Sequence, residues 1–194
     1  MEHHDGMPIN ELLSLMPPHA GAGSDVDWDE TERAWGHSFP MDYKDFVGRY
    51  GAGAIENFLA VFEPSVDTTG RPAGAMADET SAAQEAWGDL EGIPGVDAGP
   101  DRIVAWGADG VGDMLCWLRT EGGPDEWPVL VYKRFEDAWQ LHEGGMVEFL
   151  LRSFRAEATG HPFSGTAMWG VPAPRFLTRS RERQVYASGQ DPWA

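Results

Sequence analysis

Histidine and cysteine are the side chains that most often bind metals or act as nucleophiles, and this chain has six histidines and one cysteine. None of the histidines has a partner at the i, i+4 or C-x-x-C spacing that is typical of metal ligands. They are His3, His4, His19, His37, His142 and His161. Cys116 lies between Leu115 and Trp117 in an apolar stretch, where a thiol behaves as a small hydrophobic group. The sequence also lacks the G-x-G-x-x-G, P-loop, G-x-S-x-G and H-E-x-x-H motifs. We therefore predict no metal site, no cofactor and no nucleophilic cysteine.

Carboxylates are the abundant chemical groups, with 32 Asp and Glu against 14 Lys and Arg. A pair of carboxylates can catalyse hydrolysis, so a carboxylate-pair hydrolase stays open as an alternative. Several acidic residues fall in the connections between predicted strands, where solvated charge is the ordinary expectation. A tryptophan among them would give a protein partner an aromatic anchor. The candidate partner-binding residues are Asp109, Asp113, Asp125, Glu126 and Trp127.

The net charge of −18 limits the classes of partner. Residues 171–194 carry four arginines against Glu182 and Asp191, so this segment is +2 and residues 1–170 carry −20. Such a body repels the phosphate backbone, which argues against nucleic acid as a partner and favours a basic protein. Acidity kept for solubility alone is the competing explanation. The apolar content of 42%, which includes nine tryptophans, predicts a folded chain with a sizeable core.

The elements that must position these residues follow from hydrophobic periodicity. Apolar residues at i, i+3, i+4 and i+7 predict helices, and short apolar runs between turn signals predict strands. The predicted helices cover 9–16, 28–35, 41–50, 75–90 and 146–154, and the predicted strands cover 55–62, 102–106, 114–118, 128–132 and 138–142. Helices followed by sequential strands and a closing helix predict an α+β domain, with a mostly antiparallel sheet and the helices packed on one side.

The chain is predicted to contain one domain with two flanking segments. Residues 1–25 form an N-terminal helix and a flexible lead-in, and residues 26–160 form the domain. Residues 161–194 form a C-terminal arm, marked by Pro and Gly at both of its ends and expected to pack on the domain without a core of its own. No apolar run approaches the ~20 residues of a membrane helix, and the start lacks the basic and apolar regions of a secretory signal, so we expect a cytoplasmic protein without a membrane partner.

Several motifs in a fixed order resemble the SUKH superfamily, and within it the Smi/Knr type. Trp28 with Glu32 is followed by Trp35-Gly36, by the run 39–46 (Phe-Pro-Met-Asp-Tyr-Lys-Asp-Phe), and by 49–53 (Arg-Tyr-Gly-Ala-Gly). The runs 105–107 (Ala-Trp-Gly), 112–113 (Gly-Asp) and 116–117 (Cys-Trp) are similar to the paired strands of that family, and 148–150 matches its closing helix. Phe39 stands where the family usually has leucine. The resemblance covers roughly residues 26–154.

The resemblance implies a binding role without catalysis. Bacterial members of the family are immunity proteins that neutralise cognate toxins, many of them nucleases, whereas the yeast relatives are regulatory scaffolds. A nuclease presents a basic surface to phosphates, and a carboxylate-rich body complements such a surface. The leading hypothesis is therefore a non-enzymatic immunity protein for a basic toxin. The alternatives are a regulatory scaffold with a non-toxin partner and the carboxylate-pair hydrolase.

Overall fold

The computed structural model describes residues 7–157 and 160–194. The helices of these residues are α1 (Met7–Leu15), α2 (Trp28–Trp35), α3 (Met41–Tyr50), α4 (Gly74–Asp89), α5 (Met146–Phe154) and α6 (Arg179–Ala187). The strands are β1 (Gly53–Ile55), β2 (Leu59–Val61), β3 (Ser65–Val66), β4 (Pro72–Ala73), β5 (Ile103–Asp109), β6 (Met114–Leu118), β7 (Val129–Lys133), β8 (Ala138–His142) and β9 (Phe176–Thr178).

Seven strands form one antiparallel sheet in the order β8-β7-β6-β5-β2-β1-β9, and β3 pairs with β4 separately. Strands β5 to β8 are a meander, in which each strand pairs with the next one along the chain. A single α+β domain built on an antiparallel sheet is thus confirmed.

Helices cover both faces of this sheet. One face carries Trp106 and Trp117, which belong to the larger core with residues of α1, α3 and α5. The opposite face carries Cys116 and Leu130, which belong to a second cluster with Trp87 of α4. The prediction that the helices pack on one side of the sheet therefore does not hold for α4, which packs on the opposite face. The reason is that β6 and β7 are buried at every position, so both of their faces need an apolar cover.

The predicted strand at 55–62 is a hairpin. Glu56 and Asn57 both have φ of 52°, and the Phe58 N–H donates to the Ile55 carbonyl over 3.0 Å, which reverses the chain between β1 and β2. Asparagine tolerates the left-handed conformation that such a turn requires. The sequence predicts a single strand here because apolar residues flank the turn on both sides.

The C-terminal arm contributes to the sheet. Strand β9 pairs with β1, and Phe176 is buried against Phe46 and Tyr50 of α3. Helix α6 follows directly, and its N-cap is Thr178, whose hydroxyl accepts the Arg181 N–H over 3.3 Å. The segment predicted to be a C-terminal arm thus carries one edge strand of the sheet and an exposed helix.

Candidate functional site

The five predicted partner-binding residues lie at opposite ends of the sheet. Asp109 and Asp113 flank the turn between β5 and β6, whereas Asp125, Glu126 and Trp127 lie between β6 and β7. Successive connections of an antiparallel meander alternate between the two ends, and the five residues of β6 separate these two by about 17 Å at ~3.4 Å per residue. The two groups therefore do not form one patch.

Asp109 holds its own turn together. Its Oδ1 accepts the backbone N–H groups of Val111, Gly112 and Asp113 over 3.0, 3.0 and 2.9 Å. Only 9% of the residue is exposed, and burial raises the pKa of its carboxyl, with the nearby charge of Asp113 adding to the effect. Its Oδ2 is buried and has no hydrogen-bond partner among the described residues. The role of Asp109 as a partner contact is therefore corrected, since Oδ1 is used within the turn and Oδ2 is shielded from solvent.

Asp113 is fully buried. Its Oδ1 accepts the Arg134 N–H over 2.8 Å and the Ser164 hydroxyl over 2.6 Å, and its Oδ2 accepts the Ser164 N–H over 2.5 Å. The carboxylate thereby joins the β5–β6 turn, the β7–β8 turn and the segment after α5. Asp113 therefore stabilises the fold, and the prediction that it contacts a partner is corrected.

Trp127 is also buried, with 5% of its surface exposed. Its ring contacts His37, with 5.6 Å between the ring centroids, and the Arg119 guanidinium lies 5.9 Å from the centroid of the Trp127 ring. Burial lowers the pKa of His37, which keeps this contact neutral. The prediction of an exposed aromatic anchor at Trp127 is therefore wrong, because the residue completes the core beneath the β6–β7 connection.

Asp125 and Glu126 are exposed, as the prediction requires. They belong to a short 3-10 helix, Pro124–Glu126, that lies beside the start of α3. The Asp125 Oδ1 accepts the Met41 N–H over 2.6 Å, so this carboxylate caps one free amide of α3.

Asp125 lines a groove of about 440 Å³ between α1, α3, α5 and the 3-10 helix. Of the residues that the structure describes, four carboxylates and four uncharged residues line it, and none of these eight is basic. We call it the acidic groove; its residues are Pro8, Ile9, Met41, Asp42, Asp45, Asp125, Gly145 and Glu148.

Helix periodicity explains why α3 presents carboxylates to the groove. Its apolar face buries Tyr43, Phe46 and Val47 in the core, which leaves Asp42 and Asp45 on the opposite, polar face. Met41 lies at the first position of the helix and is 56% exposed. The groove thus combines negative charge with an exposed apolar side chain.

Asp42 joins α3 to α5. Its Oδ2 accepts the Val147 N–H over 3.0 Å, and α5 has no capping side chain of its own because its N-cap residue is Gly145. A Cβ at Gly145 would lie 2.5 Å from that same oxygen. Burial raises the pKa of Asp42, the hydrogen bond from Val147 opposes this, and repulsion by Asp125 and Asp45 adds to the rise.

Glu148 forms the far side of the groove. It is paired with Arg152 one turn later on α5, and both side chains are partly exposed. An exposed i, i+4 pair contributes only about 0.3–0.5 kcal/mol, so Glu148 can exchange this partner for another cation at little cost.

Metal binding and thiol chemistry are two further activities that a site could have. Within 7–157 and 160–194 no three His, Cys, Asp or Glu side chains are arranged to hold a metal ion. His3 and His4 lie outside this range. Burial raises the pKa of the Cys116 thiol well above its ordinary value, which disfavours the nucleophilic thiolate. Each helix of the described chain is also too short to span a lipid bilayer.

Sequence reasoning named only Asp125 among the groove carboxylates. Asp42 and Asp45 follow Pro40 on the polar face of a predicted helix, which is a local signal. Their meeting with Asp125 and Glu148 depends on contacts between residues about a hundred positions apart, such as the Asp42–Val147 hydrogen bond.

The chain was compared with known proteins. The family model SUKH_6, described as "SMI1-KNR4 cell-wall", matches residues 25–154, which is more than half of the chain and runs from just before α2 to the end of α5. No curated protein and no solved structure matches the chain. The matched range contains α3, α5 and the 3-10 helix that form three sides of the acidic groove. By its motifs and by this match, the chain belongs to the SUKH superfamily, in the SMI1-KNR4 cell-wall family SUKH_6.

Proposed function

We propose that this chain is an immunity-type binding protein that neutralises a cognate bacterial toxin, and that the acidic groove receives basic side chains of that toxin. The toxin class that fits is a nuclease, because a nuclease carries a basic surface for its own substrate. In this proposal the protein is cytoplasmic and does not act as an enzyme.

The acidic groove is the observation that carries the proposal. A lysine or arginine entering it would meet Asp42, Asp45, Asp125 and Glu148, and among the described residues only Glu148 of these four is already paired with a basic side chain, Arg152. Met41, Pro8 and Ile9 offer apolar contact to the aliphatic stem of that side chain. The groove therefore complements both parts of a long basic side chain.

The charge of the whole chain supports the same partner. With a net charge of −18 it attracts a basic protein over distances of a Debye length, about 8–10 Å in physiological salt, and repels nucleic acid. Long-range attraction raises the rate of association more than it raises the affinity. Fast association suits a protein that must capture a toxin before the toxin finds its substrate.

Two alternatives have specific supports. The printed family description refers to the cell wall, which favours a regulatory scaffold with a non-toxin partner. The groove holds Asp42 and Asp125 close enough to repel each other, which is the starting requirement for the carboxylate-pair hydrolase. Asp42 already caps α5, however, and this hydrogen bond gives the carboxylate a structural role.

The test needs a toxin-like reading frame directly beside that of this chain. Its absence would favour the scaffold, and where it is present its protein product is the partner to use. Bacteria that express that protein alone should stop growing, and co-expression of this chain should restore growth. A groove-neutral variant (Asp45→Asn, Asp125→Asn, Glu148→Gln) should lose much of this protection, because it removes three carboxylates from the groove.

The matched control is an α4-neutral variant (Asp78→Asn, Glu85→Gln, Asp89→Asn). It changes the net charge by the same three units at exposed positions on a helix over the opposite face of the sheet. Full protection by the α4-neutral variant together with weak protection by the groove-neutral variant would support the proposal. A toxin that is not neutralised by the unmodified chain would reject immunity and favour the scaffold.

A further inference from the structure

Helix α5 depends on another helix for its N-terminal cap. The first amides of a helix lack partners within the helix, and α5 begins after Gly145, which has no side chain to supply one. The Asp42 carboxylate accepts the Val147 N–H from α3, 105 residues away in sequence. This contact fixes the start of α5 against α3 along one wall of the acidic groove.

Among the described residues of the groove, the charged side chains that face Asp42 are all carboxylates. From the elements packed around it, the facing groups are Asp45 on α3, Asp125 on the 3-10 helix and Glu148 on α5, while α1 contributes the uncharged Pro8 and Ile9. The neighbouring arginines are engaged with other carboxylates, Arg152 with Glu148 and Arg155 with Glu11. Within 7–157 and 160–194, no positive side chain lines the groove to stabilise the Asp42 charge.

We infer that Asp42 is a protonation-sensitive latch that couples the charge in the acidic groove to the hydrogen bond at the start of α5. When ionised, the carboxylate accepts the Val147 N–H and complements the positive end of the helix dipole. When it is protonated, that charge is lost and the bond to α5 weakens. The role of a cationic occupant rests on the proposed function, whereas the latch itself does not.

The expected pH range follows from the direction of the shift. Burial and the surrounding carboxylates raise the pKa of Asp42 in the folded protein above the ordinary value of about 3.9. The folded state therefore binds this proton more tightly than the unfolded state does. The associated stability is fully present below the unfolded pKa and is lost as pH rises through the folded pKa. A cation in the groove would lower the pKa of Asp42 by the same linkage.

The latch can be tested without a partner by following the Val147 amide resonance by NMR between pH 7 and pH 3.5. In the unmodified chain its shift should change with a midpoint above about 3.9, and in Asp42→Asn this titration should disappear. Asp45→Asn is the matched control, since it removes a neighbouring carboxylate that makes no such bond, and the Val147 titration should persist in it. A Val147 shift that does not titrate, or that titrates equally in Asp42→Asn, would overturn the inference.

Thermal unfolding gives a second readout that does not depend on resonance assignment. The melting temperature of Asp42→Asn relative to the unmodified chain should be highest at pH 7 and should decrease as pH falls through the pKa of Asp42. A difference that is constant with pH would contradict the latch.

A pentalysine peptide separates the latch from the proposed function. If the groove accepts cations, the peptide should lower the midpoint of the Val147 titration in the unmodified chain. An unchanged midpoint in a chain whose Val147 still titrates would reject cation binding in the groove and leave the latch intact.

Discussion

The two ends of the sheet use carboxylates in opposite ways. At the β5–β6 end, Asp109 and Asp113 are buried and accept three hydrogen bonds each from backbone or hydroxyl donors. At the β6–β7 end, Asp45 and Asp125 are exposed beside a groove whose described lining residues include no basic side chain. The same residue type thus stabilises the fold at one end and presents charge to solvent at the other.

The difference shows how to separate structural from functional carboxylates in an acidic chain. A carboxylate whose oxygens are occupied by internal donors has little capacity left for a partner, and its loss leaves buried donors unpaired. An exposed carboxylate with free acceptor positions costs little to replace. Hydrogen bonds and burial therefore decide the role, and the number of acidic residues does not.

The largest effect is expected from Asp113→Ala at the structural end. The substitution leaves the partly buried Arg134 and Ser164 amides without their acceptor, and each unpaired donor costs about 1–3 kcal/mol. The free energy of unfolding should fall by about 3–4 kcal/mol in urea denaturation. A loss below about 1 kcal/mol would mean that Asp113 contributes no more to stability than an exposed carboxylate does. The two ends of the sheet would then not differ in how they use carboxylates.

A smaller effect is expected from Gly145→Ala at the groove end. The backbone of Gly145 suits alanine, with φ of −79°, so the only penalty is the approach of the new Cβ to the Asp42 carboxylate. Displacing that carboxylate should cost about 1–2 kcal/mol, the usual range for a lost helix cap.

The same substitution in an Asp42→Ala background provides the control. Without the carboxylate there is nothing for the Cβ to displace, and Gly145→Ala should then be neutral or stabilising by about 0.4–1 kcal/mol. An equal cost in both backgrounds would mean that Gly145 does not act through Asp42.

The smallest effect on stability is expected from Asp45→Asn. Asp45 is exposed and makes no capping bond, so its replacement should change the free energy of unfolding by less than about 0.5 kcal/mol. Chemical denaturation of this variant beside Asp113→Ala measures the contrast directly. A large loss of stability would show that the groove end is also structural.

Local elements of the fold were predictable because local contacts define them. Helix α3 was predicted at 41–50 and is found there, since Tyr43, Phe46 and Val47 repeat at helical spacing and Gly51 follows. The start of α2 is set by an equally local contact, since the Asp27 side chain accepts the Glu30 N–H over 3.0 Å. Features set by packing were missed, such as α4 on the second face of the sheet.

The site was less predictable than the fold. Asp109 and Asp113 read as solvated turn residues, because a sequence does not show that three donors converge on each carboxylate. The sequence suggests an exposed Trp127 because the residue follows a polar turn. It does not show that His37 packs against the Trp127 ring. The groove forms where α1, α3, α5 and the 3-10 helix pack together, and the spacing of residues along the sequence does not predict this packing.

The most direct test of the proposed function is the rate at which the purified candidate toxin associates with the two matched variants at low ionic strength. Stopped-flow fluorescence should show association of the groove-neutral variant about tenfold slower than that of the unmodified chain, with the difference reduced by added salt. The α4-neutral variant should associate at nearly the unmodified rate. Equal slowing of both variants would contradict a specific groove, since net charge alone would then account for recognition.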